Sequence, residues 1–470
     1  MAAVRFGTDG IRGVAGASLT SETAYALGAA LAAHYPAGNI LIGRDTRPSG
    51  PGLSAALAAG IRSGGATPIN LGVIPTPGLA AVVAADAEVA CGVVVTASHN
   101  PAEYNGLKVI GRDGRKVPDA LERELERMID EWLAAASADG ASADGASVDS
   151  ASADFASATY ARADARGAAY AARYAAQLVQ VAAVATPNRA AAGIRVVLDA
   201  SNGAGTPFAE AALSATGATV DGMAMGEGLI NDGVGATSPA ALGRRVVGLG
   251  ADLGIALDGD ADRCAVVDER GILIDGDVVI GLIALDRKRR ALPGSERVVA
   301  TILTNSGVER QLRDAGITLQ RTPVGDRHIA EVLTLGSPGF GGEKSGHLLF
   351  PEHAPTGDGL ISAIELIALL VRSGGPLSAL AATLPLDPQV QREISVREGE
   401  AEWLLSNPRM SSAIRDAERQ LAAGGGRIVV RASGTEPLLR VMGEGPEETL
   451  VTSVVDAILT TGSALLAERR

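Results

Sequence analysis

The chain has 470 residues, 47% of them hydrophobic, and a formal net charge of −13. That length and apolar content suit about two to four domains with full cores. The acidic balance, with no Lys/Arg-rich tail, excludes nucleic acid as the main partner. Aromatics make up only 3% while glycine occurs 59 times, so the core must be Ala, Val, Leu and Ile, as in buried parallel strands and closely packed helices. Cys91 and Cys264 sit in apolar runs and read as buried small hydrophobes, not as a disulfide. The opening MAAVRFGTDG lacks the apolar core of a signal peptide. The most apolar helical stretch, Leu360 to Val371, is too short to span a bilayer and contains Glu365. A soluble, cytoplasmic protein with no membrane partner is expected.

In chain order, RFGTDGIRG (5–13) is a tight glycine-rich loop with Arg12 available for an anion. NILIGRD (39–45) is a strand, Ser49 the N-cap of a helix to about Ser63, ATPINLGV (66–73) the next strand, and Pro75 and Pro77 open a short helix. The apolar run GVVV (92–95) then stops abruptly at TASHNP (96–101), a buried strand ending in an exposed loop. A helix spans about Asp119 to Ala135, and a second about Ala161 to Val184. Between them, about 136–158, a five-residue Ala/Ser/Asp repeat reads as a surface insertion with no function required. Strand–turn–helix patterns restart at IRVVLDASNGAG (194–205) and RVVATILTNSG (297–307), and a basic-ended helix covers 276–290. Segments near residues 59, 214 and 313 echo one another as helix end, glycine, strand, turn, the mark of three related α/β units with mostly parallel sheets. After about 385 the pattern changes to alternating strands and helices with hairpin-like spacing, a smaller α+β domain. The expected domains are 1–185, 186–292, 293–384 and 385–470.

Four stretches could carry chemistry. Ser98, with His99 beside it and Lys108 ten residues on, lies past the carboxyl end of a strand, where open α/β sheets place their sites. An isolated serine there is by itself an ordinary turn. In DGDADR (258–263), Asp258, Asp260 and Asp262 can converge on one hard cation, and Mg²⁺ wants such oxygen ligands. The same spacing opens an EF-hand loop, and Glu269 falls at its twelfth position. Arg263, however, stands at the sixth, where that turn needs glycine, and strands flank the loop. In RASGTEPLLR (431–440), Arg431, Ser433, Gly434 and Thr435 offer a guanidinium, hydroxyls and backbone N–H groups for a phosphate, and Arg440 a second cation. In GEKSGH (342–347), alternation would put Glu343 and Ser345 on one face, toward sugar hydroxyls. His347 can equally be a packed edge residue, and Asp326 a helix N-cap.

Taken together, FGTDGIRG, GRDTRPSG, TASHNP with YNGLK, DGDADR, GEKSGH and RASGTEP, in that order, make the chain resemble the α-D-phosphohexomutase family over nearly its whole length. The resemblance implies three similar mixed or parallel α/β domains and a smaller C-terminal α+β domain around a central cleft. It implies that Ser98 carries a phosphoryl group, and that Asp258, Asp260, Asp262 and the phosphate on Ser98 hold Mg²⁺. Arg12, His99, Lys108 and Arg263 would line the reacting centre, with Lys108 or His99 as base. Glu343 and Ser345 would meet the sugar, and Arg431, Ser433, Gly434, Thr435 and Arg440 would grip the idle phosphate. The implied reaction moves a phosphoryl group between C6 and C1 of a hexosamine phosphate through a sugar 1,6-bisphosphate. FGTDGIRG and VGDRHIAE favour the glucosamine-phosphate branch over the mannose/glucose branch. Lys344 departs from both, which usually have Gln or Met there, so a mannose or glucose phosphate stays as the alternative. Members of the family often dimerise, which leaves a homodimer open, although no interface signal stands out.

Overall fold

The computed structural model describes residues 5–7, 9–138, 160–333, 338–433 and 437–469. The Ala/Ser/Asp repeat lies outside them, apart from its first residues in the helix Asp119–Ala138.

The strands are β1 (Ile11–Val14), β2 (Asn39–Arg44), β3 (Thr67–Val73), β4 (Val89–Val95), β5 (Tyr104–Ile110), β6 (Arg195–Asp199), β7 (Thr219–Met223), β8 (Leu253–Leu257), β9 (Cys264–Asp268), β10 (Leu273–Ile274), β11 (Arg297–Thr301), β12 (Thr318–Thr322), β13 (Gly341–Gly342), β14 (Leu348–Leu349), β15 (Gln389–Ser395), β16 (Arg427–Ala432) and β17 (Leu438–Glu444). Their sheets run β1-β5-β4-β2-β3, β10-β9-β8-β6-β7, β12-β11-β13-β14 and β15-β17-β16. The first three share one plan. Two parallel pairings centre on β2, β6 or β11, and an antiparallel strand follows on β4, β8 or β13. The echoed segments end in β3, β7 and β12, the same strand of each unit. The sheets are thus mixed, with an antiparallel hairpin at one side of each parallel core. The fourth sheet is wholly antiparallel.

Apolar strand residues buried on both faces, such as all of β8, follow from helices covering the sheets. One continuous apolar core runs through the three α/β units, from Leu41 through Leu198 and Ile255 to Val298 and Leu366. The fourth domain has its own, around Leu404, Leu439, Val455 and Ile458. Low aromatic content permits close helix contact. A Cβ on Gly28 would lie 2.2 Å from Leu57 O, and one on Gly60 2.0 Å from Tyr25 O, so the helices Ser21–His34 and Gly50–Ser63 touch backbone to backbone.

Several local expectations are corrected. Ser49 occupies the N-cap position but does not cap. Its hydroxyl accepts from Asn105 Nδ2 at 2.8 Å, and proline fills the first turn. The helix after the insertion starts at Ala165 because Asp164 caps it, accepting from Gly167 N at 2.8 Å. The helix Gly276–Arg289 sits with the third unit, not the second, since Gly281 packs on Val308 and Leu384. A short helix, Glu400–Ser406, was not anticipated. Asp326 does not cap; Gly325 precedes its helix and the Asp326 carboxylate pairs with Lys116. Both cysteines are buried and free. Among the described residues, one helix, Glu448–Arg469 and not the stretch from Leu360, is long and apolar enough to cross a bilayer by length and composition. Its Val451, Val454, Val455, Ile458, Leu465 and Leu466 lie in the fourth domain's core.

Gly60→Ala is expected to cost about 1–3 kcal/mol of stability by overpacking. Gly52→Ala, in the same helix with nothing within 4 Å of its Cβ position, should gain up to about 1 kcal/mol. Calorimetry of the two variants checks both signs.

Candidate active site

The three α/β units present the same loop, the one joining the parallel strand to its antiparallel partner. In the first it is TASHNP between β4 and β5, in the second DGDADR between β8 and β9, in the third GEKSGH between β13 and β14. The repeat therefore brings three different chemistries to one place.

Ser98 is wholly buried, as are Thr96 and Ala97, so the first half of the loop is not exposed as expected, while Pro101 at its end is. The second unit covers it. Ser98 Oγ donates to Asp258 Oδ2 at 2.7 Å and lies 3.3 Å from His99 Nδ1. Below it, Ser98 N donates to Thr96 Oγ1 (2.9 Å), and Thr96 Oγ1 to Asp45 Oδ2 (2.6 Å). Ser98 has φ +50°, and the neighbouring loops hold Ser201, Asn202, Asn231 and Ala261 at similar positive values. Such backbone clusters where the surroundings over-determine it.

Carboxylate oxygens of Asp258, Asp260 and Asp262 lie within 4.8 Å of one another, and all three residues are buried. Lys108 Nζ, on β5, meets Asp260 Oδ2 at 3.0 Å and Asp262 Oδ2 at 3.5 Å. Thr76 Oγ1 donates to Asp260 Oδ2 at 2.5 Å. Asp260 Oδ1 is buried without a hydrogen-bond partner. Burial, with Asp262 and Asp260 close by, drives the Asp258 carboxyl well above its ordinary range. Burial would raise Asp262 too, yet Lys108, His347 and Arg263 hold it well below. An all-oxygen triad with an oxygen left unsatisfied in a dry site fits a small divalent cation such as Mg²⁺.

Burial disfavours the Lys108 charge, but Asp260, Asp9 and Asp262 overcome this and raise its pKa. That is opposite to what a lysine base needs. His99 is lowered by burial, Arg263 and Arg12, so it is held as neutral imidazole. Arg12 Nη2 donates to Asp9 Oδ2 at 3.1 Å and Nη1 reaches Asn100 Oδ1 at 3.5 Å. The Arg263 amide donates to Asp258 Oδ1 at 3.1 Å, closing the acidic loop on itself.

The third loop is not extended. Gly346 N donates to Glu343 O at 2.9 Å, making a turn, so alternation does not govern it. Glu343 accepts from Gly325 N at 2.9 Å. Ser345 lines a hollow of about 300 Å³ with His99, Asp258, Arg263 and Lys344. Lys344 pairs with Asp275 (3.0 Å), which lines the same hollow, and reaches Gln389 Oε1 of the fourth domain (3.3 Å). His347 is no mere edge residue. It is buried between Asp262 and Asp326, at 3.6 Å from each. Although burial opposes its charge, Asp262, Asp326 and Glu343 push its pKa up to about 9.

Arg431 and Arg440 line a different hollow, of about 430 Å³, on the fourth sheet. They face each other across β16 and β17, and burial together with Arg440 lowers the Arg431 pKa. Two apposed guanidiniums suit an anion. The Ser433 amide donates to Leu438 O at 2.9 Å; Gly434 and Thr435 lie outside the described residues.

Arg47, Thr76, Lys116 and Asn231 were not singled out from the sequence. Arg47 and Thr76 sit inside motif or turn stretches, while Lys116 and Asn231 had only turn neighbours to mark them.

Comparison with known proteins decides the family. Residues 3–136, 172–271, 275–386 and 393–461 match the models of phosphoglucomutase/phosphomannomutase α/β/α domains I, II and III and the C-terminal domain. The phosphoglucosamine mutase of Azorhizobium caulinodans is 39% identical over 98% of both chains. That of Symbiobacterium thermophilum is 41% identical over 97% of this chain and 98% of its own. The chain belongs to the phosphoglucosamine mutase family. Among solved structures, a phosphoglucomutase/phosphomannomutase family protein from Burkholderia thailandensis shares the fold at TM-score 0.74 and 23% identity, covering 98% of this chain and 97% of that one. Aspergillus fumigatus N-acetylphosphoglucosamine mutase, in complex with GlcNAc-6P and magnesium, shares it at TM-score 0.65 and 18% identity, covering 97% and 96%.

Lys108→Met leaves Asp260 and Asp262 buried without their ammonium. Stability in EDTA should fall by about 3–5 kcal/mol, and millimolar Mg²⁺ should recover part of the loss. Denaturant titrations with and without the ion check this; an equal loss in both conditions counts against the shared role.

Proposed function

We propose that the chain interconverts glucosamine 6-phosphate and glucosamine 1-phosphate, as an intramolecular phosphotransferase of the isomerase class working through phosphoserine at Ser98 and a 1,6-bisphosphate. The observation that carries this reading is the 2.7 Å contact between the Ser98 hydroxyl and Asp258 of a buried three-carboxylate loop. Relatives at about 40% identity over nearly the full chain are phosphoglucosamine mutases, which favours the amino sugar over glucose or mannose. Asp258, Asp260, Asp262 and the phosphate on Ser98 would hold Mg²⁺, which when bound neutralises charge on that phosphate and makes it a better donor.

The residues then divide the work. The idle phosphate is gripped by Arg431 and Arg440 with Ser433, Gly434 and Thr435, while Glu343 and Ser345 meet the sugar hydroxyls. The sugar C1 hydroxyl attacks phosphorus and the bond from phosphorus to Ser98 Oγ breaks. Neutral His99 takes the hydroxyl proton, and with Nδ1 at 3.3 Å from Ser98 Oγ it can return a proton to the serine oxygen. Arg12 and Arg263 stabilise the transferring group, and Lys108 stays charged to balance the carboxylates. The bisphosphate turns end for end and its C6 phosphate returns to Ser98 by the reverse steps.

A coupled assay on glucosamine, glucose and mannose 6-phosphates, with released inorganic phosphate measured in parallel, tests the reading. Expected are a preference for the glucosamine substrate of about tenfold or more, dependence on trace bisphosphate and no phosphate release. Ser98→Ala should lose roughly 10³-fold or more of kcat. Stoichiometric phosphate release would make the chain a phosphatase, and full activity of the alanine variant would remove Ser98 from the chemistry.

A further inference from the structure

We propose that Asn231, a residue of the second domain, is a positioning residue for Ser98, clamping the peptide that carries the serine from across the domain interface. The proposal rests on Ser98 being the phosphoryl carrier, and concerns what aims it.

Ser98 occupies the left-handed region at φ +50°, which residues with a Cβ avoid unless held there. Two donors hold it. Arg47 Nη2 donates to Ser98 O and to Asn100 O, both at 2.8 Å. Asn231 Nδ2 donates to the same two carbonyls, also at 2.8 Å each. A carbonyl oxygen has two lone pairs, so both acceptors are saturated and the four bonds close a square.

The two corners differ in origin. Arg47 is fully buried inside the first domain, and its remaining N–H groups go to Asp45 Oδ2 (2.9 Å), Tyr104 O (2.8 Å) and Pro101 O. It shapes the loop as part of that domain's fold. Asn231 arrives from the segment between β7 and β8. Its amide cannot turn over freely, because Ser201 Oγ donates to Asn231 Oδ1 at 2.6 Å and Asn231 N donates to Ser201 O at 3.1 Å. Both Asn231 and Ser201 are themselves left-handed, at φ +60° and +59°.

The square also rests on the acidic loop. A Cβ on Gly259 would lie 2.4 Å from Ser98 O and 3.0 Å from Asn231 Nδ2. Glycine between Asp258 and Asp260 thus lets the clamped peptide lie directly on the loop whose carboxylate receives Ser98 Oγ. Arg47 gives the serine loop its shape; Asn231 registers that shape against the second domain. Near-attack geometry is sensitive to displacements of about an ångström, so this register bears on turnover and not on sugar affinity.

The test uses the full chain with Asn231→Asp and Asn231→Gly. Aspartate keeps the shape and tolerates the left-handed region but turns an acceptor toward two carbonyl oxygens; glycine keeps the backbone and removes the amide. Both variants should lower kcat by about 10- to 100-fold with KM within about twofold of the parent. Hydrogen exchange across residues 97–104 should rise while β6 and β8 stay protected. A kcat within twofold of the parent in both variants overturns the proposal, as does a raised KM at unchanged kcat. A parent chain inactive on glucosamine phosphates, with Ser98→Ala no different, defeats the functional reading instead; the exchange readout then decides the clamp alone, and unchanged exchange overturns it.

Discussion

Three buried carboxylates within 4.8 Å of one another are tolerable only if positive charge is delivered to them, and here it comes from all three α/β units. The first sends Lys108 from β5, the second contributes Arg263 from the loop itself, and the third sends His347. From Asp262 the alternation of charge continues through His347, Asp326, Lys116 and Asp9 to Arg12, which touches Asn100 in the serine loop. The path leaves the acidic loop, crosses the third unit and returns to the first. The three α/β domains are therefore held to one another by the same charges that gather at the candidate site. A buried network of this kind is unforgiving, since removal of one member strands its neighbour without a counter-charge.

The repeat explains how such a centre can be assembled. A parallel strand followed by an antiparallel one leaves a loop at the carboxyl end of the first, and each unit has this hairpin at the same place in its sheet. Three copies of the plan, packed on a shared core, point three equivalent loops at one another. The loops then diverge in chemistry: a hydroxyl with an imidazole, a set of carboxylates, a turn bearing Glu343 and Ser345. Close approach between them is paid for in side chains. Gly259 has none because the Ser98 peptide lies where its Cβ would be, and Gly346 none because Cys264 O occupies that space at 2.3 Å.

Much of this was legible in the sequence, because a reacting group must be flanked by residues that build its loop. TASHNP and DGDADR show both a strand end and the chemistry that follows it, and the echoes near 59, 214 and 313 mark the repeated strand. What was not legible depends on partners distant in the chain. Burial of Ser98 arises from a loop 160 residues later. The charge state of Lys108 follows from Asp9, Asp260 and Asp262, so a lysine near a serine could not be told apart as base or counter-ion. Glu343 and Ser345 were placed on one face by strand alternation, yet a Gly346 turn intervenes. Asn231 carries no local signal at all, since an Asn-Asp-Gly run reads as a turn whether or not its amide reaches another domain.

The remaining asymmetry concerns how the fourth domain is attached. Units one to three share an apolar core, but the fourth keeps its own and meets the third through polar groups. Arg427 donates to Thr304 O at 2.9 Å, Gln389 Nε2 to Leu303 O at 3.1 Å, and Asn305 Nδ2 to Asp387 O at 3.0 Å. Polar contacts of this kind can be exchanged for water at small net cost, whereas a shared apolar core cannot be opened cheaply. The serine and the acidic loop thus sit on the units that share an apolar core, and Arg431 and Arg440 on the domain joined to them by polar contacts. In the proposed reaction the serine takes phosphate from either end of a sugar, and this division would keep the aim of Ser98 constant while the grip on the other end relaxes and re-forms.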